Sequence, residues 1–292
     1  MQRSATRQID GDKQVGHTKH TSYSPAPRIA RPARFLERFW RDLISSAPAA
    51  SRLFLADLKT KHRRAILGYI WLVLPGLAMA IGFAWLRRSE LFMVRDTAIA
   101  YPLFVLSGLF LWQTFIDGLS LPLRQVEQYR HILGSVRVPH EPLLLASLLK
   151  GALNALIRLS MVAIVAWFFG AGIGAISGAA AAFAVILFLG WGMGLCMVPI
   201  GLLYDDIGRA ITIGSLLGIF VCPIAFVIPG DSILSYNPLI PLFDTARASL
   251  NASFDLGNLI ALLIGLAIAL IFFFVGGALY RLAQPHLIAA FR

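Results

Sequence analysis

The chain has 292 residues, of which 58% are hydrophobic and only 14% are charged, and its formal net charge is +11. A soluble domain carries about 25% charged residues, so this composition excludes a soluble globular protein. The charge is unevenly placed: residues 1–66 contain 14 Lys or Arg and five acidic residues, whereas residues 143–280 contain only nine charged residues in all. We therefore predict an all-α polytopic membrane protein.

Two segments precede the first long apolar run. Residues 1–34 are rich in Arg, Ser, Thr, Pro and His and poor in large aliphatic side chains, which predicts a disordered basic tail without the apolar core of a signal peptide. Residues 35–66 alternate apolar and basic side chains, which predicts amphipathic cytoplasmic interface helices. Such helices lie in the membrane interface or pack on the protein's own cytoplasmic side, and both can hold.

The remaining domain, residues 67–285, is predicted to contain six membrane-spanning helices. A span needs roughly 20 apolar residues, and six runs meet that requirement: 67–86, 98–116, 143–169, 179–203, 210–228 and 258–280. Arg158 in the third run is predicted to reach up to the inner headgroups. Small residues one turn apart allow helices to approach closely, and three glycine pairs have that spacing: Gly174 with Gly178, Gly190 with Gly194, and Gly214 with Gly218.

The distribution of basic residues predicts that both termini are cytoplasmic. With the N-terminus inside, the cytoplasmic loops and flanks contain eleven Lys or Arg, and the opposite side contains four. In the cytoplasmic segment 117–142, a stretch from Leu121 to Leu133 is predicted to form a short helix. The outer segment 229–257 is cut by several prolines, which predicts short re-entrant helices before the last span, with a plain periplasmic loop as the alternative.

The sequence contains no pattern typical of an enzyme or of a nucleotide-binding protein. GxxxxGK[ST], HExxH, CxxC and GxSxG are all absent, and the six histidines lie outside the predicted spans. Asp117 and Asp205–Asp206 are placed at span ends, so no carboxylate is predicted inside a span. We predict a transport subunit that is not an enzyme and binds no cofactor or metal. We attribute the basic charge to a cytoplasmic tail and to attraction by anionic membrane lipids, and not to binding of nucleic acid.

Four sequence patterns resemble those of the permeases of ABC type-2 exporters. They are a basic stretch and Leu-Gly-x-x-Trp at Lys61–Trp71 with Leu74-Pro75, Tyr101-Pro102-Leu103-Phe104 with Gly108-Leu109 and Trp112, the turn Tyr204–Arg209, and Tyr236-Asn237-Pro238-Leu239 with Arg247. The patterns occur in order over roughly residues 50–285. The resemblance is closest to the branch that exports capsule and O-antigen polysaccharides. One departure is Asp205-Asp206, where the family often has Arg-Asp.

The resemblance implies a particular assembly and function. The assembly is a homodimer with two ATP-binding cassette ATPase subunits, which hold the ATP and Mg, and with a channel between the two permeases. The implied function is export of a lipid-linked cell-surface polysaccharide, or glycolipid, across the bacterial inner membrane. An ABC type-2 exporter of a lipid or hydrophobic drug is the nearest alternative. A non-transporting membrane scaffold is a further one.

The resemblance also implies candidate site residues. Segments near 51–65 and 121–137 are implied to contact the ATPases, through the coupling candidates Lys61, Arg63, Arg64, Arg124, Glu127 and Arg130. Residues 229–250 are implied to form an outer gate, with candidates Pro229, Tyr236, Asn237, Pro238 and Arg247. Aromatic rings can stack on sugar faces, so the channel-lining candidates are Tyr69, Trp71, Tyr101, Phe104 and Trp112. The general enrichment of Trp and Tyr at bilayer interfaces is the alternative explanation for these aromatics.

Overall fold

The computed structural model describes residues 40–64, 69–89, 97–129, 141–204, 206–227, 234 and 237–290. Every regular element in these ranges is a helix, which confirms the predicted all-α class. The main helices are α1 (Ala47–Arg64), α2 (Ile70–Arg88), α3 (Tyr101–Gln128), α4 (Glu141–Phe168), α5 (Ile173–Gly201), α6 (Asp206–Val221), α7 (Ile240–Leu250) and α8 (Leu256–Ala290).

Five of these helices, α2, α3, α4, α5 and α8, are long and apolar enough to cross a membrane. The predicted fifth span, 210–228, corresponds to α6, which has 16 residues and ends at Val221. At 1.5 Å per residue α6 is about 24 Å long, whereas the bilayer hydrocarbon is roughly 30 Å thick. The count of six spans therefore stays a prediction.

The second span is longer than the sequence predicted. The apolar run was expected to end at residue 116, but α3 continues without interruption through Asp117 and Pro122 to Gln128. The described part of the predicted helix from Leu121 to Leu133 is helical, but residues 121–128 are the last turns of α3 and not a short helix of their own. The helix continues into this polar region because neighbouring helices bind its polar side chains, as described below.

Helices α3 and α5 cross with their backbones in contact, and glycines make the crossing possible. A Cβ atom on Gly118 of α3 would lie 2.6 Å from the carbonyl oxygen of Leu187, and one on Gly190 of α5 would overlap the carbonyl oxygen of Phe115. A Cβ on Gly194 would lie 2.6 Å from the carbonyl oxygen of Leu119. The predicted close approach at Gly190 and Gly194 is confirmed.

The other two glycine pairs do not act in that way, because one member of each faces open space. A Cβ on Gly174 or on Gly214 would meet no atom within 4 Å. Gly178 does lie against Ser249, and Gly218 lies against the indole of Trp112. Four-residue spacing was therefore a correct guide to helix contact at only one of the three pairs.

Helix α5 lies at the centre of the bundle, since α8 and α7 pack against the sides that α3 leaves free. Gly192 of α5 approaches the backbone of α8, where an added Cβ would lie 3.0 Å from the carbonyl oxygen of Ala269. The buried ring of Trp191 stacks on Phe273 of α8 at 5.6 Å between centroids. Ser249 of α7 donates a hydrogen bond of 2.7 Å to the carbonyl oxygen of Ala175 at the start of α5.

The first described residues pack against the protein itself. Asp42 forms an ion pair with Arg281 of α8, which also lies 3.4 Å from Glu141 at the start of α4. Asp57 of α1 is buried. Asp42 and Asp57 thus attach the amphipathic segment to the protein's own helices, whereas its cytoplasmic placement and its contact with lipid stay predictions. These contacts define the α1 end of the bundle, and α7 marks the opposite, α7 end.

Replacing Gly190 by Ala is expected to destabilise the bundle. The added methyl group overlaps the backbone of α3, so the helices must separate, and overpacking of this kind costs about 1–3 kcal/mol. Thermal unfolding of the purified protein in detergent measures the effect. The matched control is Gly214→Ala, which places a methyl group in open space. Equal unfolding temperatures for the two variants would contradict the close crossing of α3 and α5.

Candidate functional site

Arg247 of α7 is the most extensively bonded of the outer-gate candidates that the structure describes. Its side chain is buried, and Nη2 lies within hydrogen-bonding distance of the carbonyl oxygens of Phe104 (3.3 Å), Pro223 and Ile224 (3.4 Å). The guanidinium carbon lies 3.5 Å from the centroid of the Phe104 ring, a cation–π contact. Arg247 therefore joins α7 to the start of α3 and to the turn that follows α6.

The space for this arginine is provided by a glycine of α3. A Cβ on Gly108 would lie 2.6 Å from Nη2 of Arg247 and 3.1 Å from the carbonyl oxygen of Ile224. Only glycine therefore lets the guanidinium lie flat against α3 at this point. The contact explains in physical terms why Gly108 and Arg247 belong to the same site.

The Asn-Pro pair positions α7, and with it Arg247. Oδ1 of Asn237 accepts a hydrogen bond of 3.0 Å from the backbone N–H of Leu239, and the carbonyl oxygen of Asn237 accepts another from Ile240. An Asn side chain that bonds two residues onward starts a turn, and α7 begins at the end of this turn. Pro238 is exposed. Two further gate candidates, Pro229 and Tyr236, lie outside the described residues.

Three of the five aromatic candidates are buried in the packing of α3 against the α6 region. Tyr101 donates a hydrogen bond of 2.9 Å to the carbonyl oxygen of Ala225, and its ring stacks on Phe104. The Nε1 of Trp112 donates to the carbonyl oxygen of Ser215, also at 2.9 Å. These rings are held by contacts within a single chain.

The two remaining aromatic candidates lie at the start of α2. Trp71 is 61% exposed. Tyr69 is half-buried and lines a small cavity between α1 and α4. The structure thus does not bring the five aromatic side chains together on one surface of the chain. Their role in lining a channel stays a prediction.

The coupling candidates lie at the α1 end where the structure describes them. Arg124 and Glu127 are exposed on the last turns of α3. Glu127 lines an open cavity of about 490 Å³ together with Gly208, Arg209, Thr212 and Ile213 of α6. Lys61, Arg63 and Arg64 belong to the last turn of α1, and their side chains are not described. Arg130 lies outside the described residues.

A polar cluster that was not predicted joins α1 to α3 and α4. The carboxylate of Asp57 accepts hydrogen bonds from Gln125 Nε2 (3.0 Å) and from the hydroxyl of Tyr129 (2.7 Å). Lys150 Nζ lies 2.5 Å from Oδ2 of Asp57 and 2.5 Å from Oε1 of Gln125. Each polar group of the cluster is thus matched by a partner of opposite charge or by a hydrogen-bonding group.

These bonds decide the ionisation of the cluster. Burial acts to raise the pKa of Asp57, but the hydrogen bonds from Lys150, Gln125 and Tyr129 outweigh burial and hold the pKa below its ordinary value. Burial and the adjacent carboxylate of Asp57 raise the pKa of Tyr129. At neutral pH Asp57 is therefore an anion, and the Tyr129 phenol stays protonated as its hydrogen-bond donor.

A second unpredicted cluster lies in the middle of α3 and α4. Oδ2 of Asp117 accepts from Arg158 Nη1 and from Asn154 Nδ2, both at 2.8 Å. The predicted exposure of Arg158 to headgroups is wrong, because the residue is only 4% exposed. The predicted placement of Asp117 at a span end is wrong too, since it is the seventeenth of 28 residues in α3. A buried charge is stable when it is paired, so the carboxylate of Asp117 lets the Arg158 guanidinium stay inside the bundle.

The sequence did contain a signal for both clusters. Lys150, Asn154 and Arg158 recur every four residues along α4, and this spacing places them on one face of a helix. Hydropathy weighs each charged residue of α4 by itself and does not reveal that Lys150 pairs with Asp57 and Arg158 with Asp117. Within the described ranges, no group of three or more His, Cys, Asp or Glu side chains is arranged to hold a metal ion.

The apolar helices and the buried polar contacts between them define a multi-pass helical membrane protein. Two proteins of Klebsiella pneumoniae, both described as O-antigen export system permease protein RfbA, are similar to this chain. Each is 23% identical over an alignment of 198 residues, and the match covers 63% of this chain and 72% of the relative. No protein-family model matches the chain. The similarity supports the ABC type-2 permease family.

Replacing Arg247 by Met is expected to destabilise the α7 end. The buried carbonyl oxygens of Pro223 and Ile224 lose the donor that Arg247 provides. A buried acceptor without a partner costs about 1–3 kcal/mol. Unfolding by sodium dodecyl sulfate of protein in mild detergent measures the loss. The control is Arg209→Met, because Arg209 is exposed and bonds only the exposed Asp206. An unfolding midpoint for Arg247→Met equal to that of the control would argue against the described contacts.

Replacing Asp117 alone by Leu is expected to destabilise the protein more than replacing both Asp117 and Arg158 by apolar residues. The single change leaves the buried Arg158 charge without a counter-ion, which costs about 3–5 kcal/mol. The double variant Asp117→Leu with Arg158→Met removes both charges and should regain most of the loss. The same detergent unfolding measures all three proteins. A double variant that is less stable than the single one would disprove the ion pair.

Proposed function

We propose that this chain is the transmembrane permease subunit of an ATP-driven exporter of a cell-surface polysaccharide. The observation that carries the proposal is the similarity over 198 residues to two O-antigen export permeases. The cargo is a lipid-linked polysaccharide of the O-antigen or capsule type, and the protein lies in the bacterial inner membrane with both termini in the cytoplasm. The five apolar helices of the described chain support the membrane placement.

In this proposal a separate ATPase subunit supplies the energy. The chain has no GxxxxGK[ST] loop, so ATP and Mg bind the partner and not the permease. The α1 end faces the cytoplasm in the proposed orientation. Arg124 and Glu127 are exposed there, and the open cavity beside Glu127 also exposes Arg209. A partner that docks at this end would meet both signs of charge.

The export channel in the proposal lies between two copies of the chain. Trp71 is the aromatic candidate with the largest free surface, and Tyr69 lies two residues before it in the sequence. Tyr101 and Trp112 are held against the α6 region, and Phe104 is held against Arg247 of α7. In the proposal these rings support the wall of the channel from inside the chain. A sugar chain presents hydroxyls and apolar ring faces, which an exposed indole can contact by stacking.

The outer gate in the proposal is the α7 end of the bundle. Asn237 starts the turn that leads into α7, and Arg247 holds α7 to α3 and to the residues that follow α6. A gate in this position has to be rigid when closed and has to open as a unit. The contacts of a single arginine to several carbonyl oxygens suit that requirement, because they form or break together.

Deletion of the gene from its native host is expected to remove a polysaccharide from the cell surface, and the tagged chain should copurify in mild detergent with a stoichiometric ATPase subunit. The physical reason is that the chain contains no GxxxxGK[ST] loop, so that in the proposal a separate subunit supplies the energy for export. Immunoblotting of surface polysaccharide and mass spectrometry of the purified complex are the measurements.

Two controls make the outcome decisive. A plasmid copy of the wild-type gene should restore the polysaccharide, and an unrelated polytopic protein with the same tag should not bring the ATPase with it. An unchanged polysaccharide together with altered tolerance to hydrophobic drugs would favour export of a lipid or drug. A chain that purifies alone in several detergents would contradict the exporter.

A further inference from the structure

A stripe of polar side chains, made of the two clusters, runs from α1 into the middle of α3 and α4. Along α4 it contains Lys150, Asn154 and Arg158, and along α3 it contains Asp117 and Gln125. Residues four apart are about 6 Å apart along a helix axis, so the α4 part of the stripe is about 12 Å long. Its first contact is with Asp57 of α1, and its last is the buried pair of Asp117 with Arg158.

Asn154 connects the two clusters of the stripe. Its Nδ2 donates to Asp117, while the residue also lines a cavity of about 10 Å³ with Asp57, Lys150 and Tyr69. This volume is close to the smallest that holds a single water molecule, and the lining offers several polar partners. The shared cavity therefore brings Asn154, which bonds Asp117, beside the Asp57–Lys150 pair.

Polar contacts of this kind transmit movement differently from apolar ones. Packed leucines can exchange partners when one helix slides on another. An ion pair that also has fixed hydrogen bonds cannot exchange partners in this way, because a buried charge without its partner costs several kcal/mol. A displacement of α1 that moves Asp57 must therefore move Lys150 and Gln125 with it or break the cluster. The stripe makes α1, α3 and α4 respond together.

We propose that this stripe is the positioning element that ties α1 to the membrane-spanning core during export, with the ion pair of Asp57 and Lys150 as its joint. The inference rests on the proposed function, because it takes α1 to be part of the surface that an ATPase moves. None of these residues binds ATP or cargo in the proposal. They act through the helices that they hold in register.

The test compares export with ATP hydrolysis in variants of the stripe. Asp57→Asn and Lys150→Gln keep the size of each side chain and remove the ion pair. ATP hydrolysis by the purified complex in nanodiscs should continue near the wild-type rate. Surface polysaccharide per ATP hydrolysed should fall by about tenfold, which is the scale of a typical coupling between two sites. The double variant Asp57→Lys with Lys150→Asp should recover part of the export.

Matched controls separate coupling from simple stability. Asp42→Asn breaks another ion pair at the same end of the bundle, with Arg281, but it lies off the stripe and should export normally. Asn154→Ala keeps both ion pairs and removes one hydrogen bond to Asp117, so it should give a smaller loss of export per ATP. If Asp57→Asn does not fold, Asn154→Ala still tests the stripe.

Three results would overturn the inference. One is normal export per ATP in Asp57→Asn, Lys150→Gln and Asn154→Ala. Another is a loss of export that Asp42→Asn shares. The third is a loss of export and of ATP hydrolysis in the same proportion, following the thermal stability of each complex. Failure of the proposed function shows itself separately, because the wild-type chain would then purify without an ATPase.

Discussion

The backbone contact between α3 and α5 is the constraint on which the rest of the bundle depends. Gly118, Gly190 and Gly194 allow the two helices to touch, and α3 is thereby enclosed along most of its length. Where α3 is enclosed, its polar side chains have no access to solvent. Asp117 and Gln125 therefore need partners from α4 and α1, and the carbonyl oxygen of Phe104 is served by α7.

The charges of the described core follow from this enclosure. Arg158 has Asp117, Lys150 has Asp57, and Arg247 has carbonyl oxygens and an aromatic ring. In each case a charge is bound by a neighbouring helix, so the pairing also fixes how two helices lie against each other. An apolar core of equal volume would hold the helices together without specifying their register.

The sequence predicted the helical class and the approximate positions of most spans, because an apolar run of about 20 residues is typical of a membrane-spanning helix. It misplaced the end of α3, since Asp117 was taken as a boundary and not as one half of an ion pair. It misplaced Arg158 for the same reason. Pairing between residues 41 positions apart depends on which helices are neighbours, and hydropathy along the chain contains no information on that. The Asn-Pro turn and Arg247 were found only through resemblance to known permeases.

The ion pair of Asp117 and Arg158 also bears on how the chain is made. Helix α3 precedes α4, so the carboxylate is already in the membrane when the segment that contains the guanidinium leaves the ribosome. An isolated arginine opposes insertion of a helix by about 2.5–3.5 kcal/mol. A counter-ion that is already in the membrane lowers that barrier. Helix α5 then follows after a short turn, in which Gly170 has a positive φ of 84°. The order of the helices along the chain thus lets the Arg158 guanidinium enter the bilayer after its counter-ion, Asp117, is in place.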